Sequence, residues 1–127
     1  MIHEYNYIKQ RLNEIQTFLE SPYDCEPEIL LDRLATLDAM NAEAGKLKAD
    51  AEYWLDKKLS DEIFVKIKDL GREFMTATLL NKWVKTLAYE EQHTATFADR
   101  INRTCVHQIE SMRTQISYLK NYLNTSK

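Results

Sequence analysis

Residues 94 to 113, TATFADRINRTCVHQIESMR, place three arginines, a histidine, a cysteine and several amide and hydroxyl side chains within about five and a half helical turns. Three chemistries are open to such a set. Cys105 and His107 are zinc-ligand types, but residues two apart on a helix point about 200° apart and cannot share one tetrahedral ion. Glu90-Glu91-Gln92-His93 contains the Glu-x-x-His pair with which helical bundles hold two metals. A dimetal centre also needs a second such pair, and neither His3 nor His107 has a glutamate three positions earlier. Arg100, Arg103 and His107, beside Tyr89 and Tyr118, are contact-forming groups, able to grip a protein surface or an anion such as nucleic acid. No metal or cofactor is implied by these residues.

Enzymatic chemistry finds no scaffold. No glycine-rich phosphate loop and no strand-to-helix nucleophile turn can be built from a chain with two glycines and two prolines. The reading is therefore non-enzymatic, with no catalytic residue assigned.

The elements that must position these residues follow from apolar spacing. Tyr5, Ile8, Leu12, Ile15 and Leu19 step by threes and fours, which predicts a helix over residues 2–20 that ends at Ser21-Pro22. Pro27 suits a first helical position, with Glu26 and Glu28 at the positive helix end. From there Leu30, Leu34, Leu37, Met40, Ala44, Leu47, Ala51 and Trp54 form one stripe, predicting a helix over 27–58. Gly45 and its alanine neighbours mark a place of close helix approach. At DKKLSDEI the charge order reverses: Lys57 and Lys58 resemble a helix end, and Ser60, Asp61 and Glu62 a new start. A break near Ser60 and a short helix over 61–70, stopped by Gly71, are expected. The last helix, capped by Thr76 or Thr78, is expected to run unbroken over 78–123. Its stripe reads Ala98, Ile101, Cys105, Ile109, Met112, Ile116, Leu119 and Leu123.

Rotation by 100° per residue puts Tyr89, Arg100, Arg103, His107, Thr114 and Tyr118 within about 40° of one line opposite that stripe. Three readings of this line stay open: a protein contact surface, a plain solvated face, or an anion site.

Composition bounds the rest. The chain has 127 residues, enough for one domain, and a net charge of −3. Residues 22–75 carry 13 acidic and 8 basic side chains; residues 78–127 carry 4 and 7. The halves are thus complementary at −5 and +3, which favours two helical segments packed on each other over a nucleic-acid footprint. Apolar runs such as Ile29-Leu30-Leu31 are too short to cross a membrane, and MIHEYNYIKQR lacks a secretory pattern, so a cytoplasmic protein with free Cys25 and Cys105 is expected.

The segment EEQHTATFADRINRTCVHQIESMRTQISYLK, residues 90–120, together with ADAEYWLD, residues 49–56, resembles small uncharacterised helical proteins encoded by phages and prophages. The resemblance covers about a third of the chain and carries no catalytic signature. It implies a bacterial cytosolic setting and an accessory role during phage growth, as a recombination accessory or an antagonist of host defence.

The expected fold is all-α: an extended helical bundle in which long helices over 27–58 and 78–123 pack antiparallel, coiled-coil-like, with two shorter helices laid on them. Stripe length in excess of one small core favours a homo-oligomer, a dimer by default. The expected function is a protein interaction module acting through Tyr89, Arg100, Arg103, His107, Thr114 and Tyr118 on a host or phage protein. The alternative is binding of nucleic acid or an anionic nucleotide.

Overall fold

In the computed structural model, residues 1–70 and 77–125 are described; within them the side chains at 63, 64, 66–70, 77, 80, 81, 84, 85, 124 and 125 are not. Four helices follow in order: α1 Tyr5–Glu20, α2 Pro27–Leu70, α3 Ala77–Leu87 and α4 Tyr89–Thr125. The described residues contain no strand.

α2 and α4 form the frame. Lys48 pairs with Asp99 at 3.0 Å, and the Asn102 side chain donates to Asn41 Oδ1 at 3.0 Å, so residue numbers rise in opposite directions along the two helices. α1 lies in their cleft, antiparallel to α2 and parallel to α4: Arg11 reaches Glu43, Tyr5 meets Thr94, and Gln108 donates to the Leu19 carbonyl. The three stripes converge on one core in which Ile8, Leu12, Ile15, Leu30, Leu37, Leu47 and Ile101 are fully enclosed. Burying a leucine or isoleucine side chain is worth roughly 1.5–3 kcal/mol, so each of these residues contributes substantially to the fold.

Two buried charges set where α1 sits. Its own sequence has no acid in the first turn, no base in the last, and no side-chain cap at Glu4. α2 supplies both. Asp50, 2% exposed, accepts the His3 backbone N–H at 3.0 Å and the His3 ring at 2.8 Å, while Lys46 donates to its other oxygen at 2.7 Å. Burial opposes ionisation of Asp50, but the bonds from Lys46 and His3 outweigh it and hold the carboxyl below the usual aspartate range. At the other end Arg33, 8% exposed, donates to the Phe18 carbonyl at 2.9 Å and to Ser21 at 3.1 Å, with its guanidinium carbon 4.4 Å from the Phe18 and Tyr23 ring centres. A negative group thus faces the positive end of α1 and a positive group its negative end. Seventeen residue steps along α2 separate the two charges, about 25 Å at helical rise, against about 20 Å of helix from Tyr5 to Phe18 plus the non-helical step through Glu4 to His3. Reversal or a one-turn slip of α1 would lose both pairings.

Several sequence expectations are corrected. α1 begins at Tyr5 rather than residue 2, because the His3 N–H bonds to Asp50 and the first helical bond runs from Ile8 to the Glu4 carbonyl. No break occurs near Ser60, and the expected helices over 27–58 and 61–70 are one continuous α2. Lys58 bonds Glu62 one turn on at 3.0 Å, so the charges that resembled an end and a start brace a helix interior. The helix expected over 78–123 is two: α3 ends at Leu87, Ala88 forms a turn, and α4 begins at Tyr89. Ala88 is buried there, and its carbonyl accepts the Gln92 N–H at 2.8 Å as α4 starts. Thr78 lies inside α3, whereas Gly71 and Thr76 fall outside the described residues.

Ala44, on the α2 stripe, is fully buried. At Gly45 an added Cβ would meet Asn102 at 3.9 Å, an ordinary contact, so that glycine is not required by packing.

Candidate functional site

α4 is amphipathic along most of its length. Ala98, Ile101, Cys105, Ile109 and Met112 are buried, which leaves the opposite side to solvent. Tyr89, Arg100, Arg103, His107, Thr114 and Tyr118 are all exposed on that outer side, the two tyrosines by 70% and 72%.

Their surroundings divide them. Arg103 bonds Asp99 one turn back at 3.1 Å, and Asp99 also bonds Lys48, whose hydrogen bond chiefly holds that carboxyl below its usual range. Thr114 returns its hydroxyl to the Glu110 carbonyl at 3.1 Å. The side chains of Arg100 and His107 have no hydrogen-bond or ion-pair partner among the described residues; the Arg100 carbonyl accepts the Thr104 hydroxyl at 2.8 Å. The cationic line is therefore partly neutralised from within, while its uncommitted donors remain available.

Thr114 and Tyr118 belong to a second feature. Beyond the end of α1, the connector and the last turns of α4 enclose a groove of about 510 Å³, lined by Tyr23, Cys25, Thr114, Gln115, Tyr118 and Leu119. That size lies within the usual range of roughly 300–1,000 Å³ for ligand sites. The Gln115 side-chain oxygen is buried and accepts no hydrogen bond among the described groups. Sequence alone puts Leu119 in the apolar stripe and makes Cys25 a free thiol, and it marks neither them nor Tyr23 and Gln115 as site residues. The available signal was an apolar stripe in α4 that continues past the point where α1 ends.

A second cluster also escaped sequence reasoning. His3, Asp50, Lys46 and Trp54 are joined by hydrogen bonds, with the Trp54 indole donating to the His3 carbonyl at 2.8 Å. A histidine oriented by a carboxylate resembles half of a general-base arrangement. Here the ring stacks on Tyr7, and no hydroxyl or thiol bonds it among the described residues, so the cluster anchors α1.

The thiols differ. Cys105 is buried in the core, and desolvation raises its pKa, which disfavours thiolate chemistry; Cys25 is exposed beside the groove. Among the described residues no group of three or more His, Cys, Asp or Glu side chains could hold a metal, and no helix is long and apolar enough to cross a membrane. Comparison with protein-family models, curated proteins and solved structures finds no match for this chain.

Proposed function

We propose that this chain is a non-enzymatic interaction module, an accessory protein of phage type working in the cytoplasm, that engages a host or phage protein through the outer face of α4. The observation that carries the reading is the co-facial exposure of Tyr89, Arg100, Arg103, His107, Thr114 and Tyr118 on a helix whose other side is buried. Tyrosine and arginine are enriched in protein interfaces because they combine large contact area with directional bonds. The alternative partner, nucleic acid, is less favoured, since Arg103 is matched by Asp99 and Arg113 lies 3.9 Å from Asp38.

The test is a pull-down with wild-type chain and the Arg100→Glu/Arg103→Glu double variant as bait, helical content being checked by circular dichroism. A protein retained by the wild type and lost from the variant supports the reading; equal recovery of every partner overturns it. Filter binding at low salt decides for nucleic acid instead if retention is strong and falls steeply as salt rises. Self-association, which the same reading includes as a dimer, is read by light scattering.

A further inference from the structure

The groove at the end of the bundle has a chemistry distinct from the α4 face beside it. In the middle of the molecule three helices share one core. Past Glu20 the place held by α1 is left to the connector, while α4 runs on to Thr125. Tyr118, Tyr122 and Leu123 stand exposed along those last turns, by 72%, 61% and 54%. The stretch from Met112 to Thr125 is about 20 Å long, enough for some three and a half turns of another helix alongside it.

Its rim is acidic. Residues 20–32 carry Glu20, Asp24, Glu26, Glu28 and Asp32, all exposed, with no lysine or arginine among them. Arg33, the next residue, is buried and turned to the end of α1. Over residues 112–125 α4 carries two basic residues, Arg113, 3.9 Å from Asp38, and Lys120. The lining itself is largely apolar and aromatic, with Tyr23, Tyr118 and Leu119 beside Cys25 and Thr114.

We propose that this groove docks an amphipathic helix of a partner protein, with an apolar stripe flanked by lysine or arginine. The apolar lining takes the stripe, and the acidic connector around Asp24 and Glu26 takes the flanks. This is helix-in-groove recognition, seated as a continuation of the α1 position. The inference rests on the interaction-module reading but shares only Thr114 and Tyr118 with the surface tested there.

The experiment measures fluorescence anisotropy with two labelled peptides of about 16 residues, roughly four turns, carrying the same leucine stripe, one flanked by lysines and the other by glutamates. The wild-type chain should bind the lysine peptide at least about tenfold more tightly, and Tyr118→Ala should weaken that binding about tenfold, the scale of an interface tyrosine. Asp24→Lys/Glu26→Lys should shift the preference toward the glutamate peptide. Arg100→Glu/Arg103→Glu should leave peptide binding unchanged, so that this site and the α4 face fail or succeed separately. Equal affinity for both peptides, no binding, or an unchanged Tyr118→Ala variant overturns the proposal. It is also overturned if light scattering shows a dimer that Tyr118→Ala converts to monomer, because the groove then belongs to a second copy.

Discussion

The middle of the bundle and its two ends are built from the same long helices, yet among the described side chains the fully enclosed ones gather in the middle. Where α1 lies between α2 and α4, Ile8, Leu12, Leu37, Leu47 and Ile101 are fully enclosed. Beyond its N-terminal end Val65 and Leu79 are 50% and 36% exposed, and beyond its C-terminal end Leu123 is 54% exposed. Two facing helices shield one narrow seam, and a third is needed to enclose a leucine on all sides. The position of α1 therefore decides which part of each stripe becomes core and which remains available to something else.

The contrast breaks most severely if α1 is loosened from within. Leu12→Ala should cost about 2–5 kcal/mol in urea-induced unfolding, the range for a buried leucine whose cavity cannot collapse. A value below about 1 kcal/mol would mean that α1 contributes little to the core.

The next largest effect belongs to Asp50. Asp50→Ala removes the acceptor for His3 and Lys46 and should cost about 2 kcal/mol, the scale of losing hydrogen bonds to a charged group, because His3 and Lys46 are half-exposed and regain solvation. The same residue predicts an acid limb. Its folded pKa is lowered, so just below the ordinary aspartate value of about 3.8 the unfolded chain binds more protons than the folded one. The stabilisation is complete above that value and is lost as pH falls through it toward the folded pKa. Urea midpoints between about pH 7 and 3 should drop at the acid end, and less steeply in Asp50→Asn.

A smaller change should go the other way. Gly45→Ala, within the well-packed stretch, should stabilise by about 0.5–1 kcal/mol by removing the helix cost of glycine while making only the ordinary contact with Asn102. Destabilisation would show that α4 sits closer to α2 than this geometry allows. At the C-terminal end, Leu123→Ala should shift the midpoint by no more than about 0.5 kcal/mol, as expected for an exposed position; a larger loss would place that end inside the core.

Apolar period made the all-helical fold and the antiparallel pairing of its long segments legible. Ile8, Leu12, Ile15 and Leu19 recur at helical spacing because one side of α1 is buried, and burial is what periodicity reports. Local signals misled where tertiary contacts prevailed. Lys58 and Glu62 mimic an end and a start until they are seen bonded across one turn, and the turn at Ala88 carries neither glycine nor proline to announce it. Arg33 and Asp50 were illegible for another reason: each is a charged residue beside the apolar stripe whose meaning depends on partners 15 and 47 residues away. Of the site, the shared face of Tyr89 through Tyr118 could be drawn by rotation alone. The groove could not, because it exists only where α1 stops short of α4.

The unequal thiols offer a practical handle. Cys25 is solvent-accessible at the edge of the groove, and Cys105 is sealed in the core with its pKa raised by desolvation. A maleimide dye should therefore label the native chain at Cys25 alone, placing an environment-sensitive reporter beside the groove without any engineered cysteine.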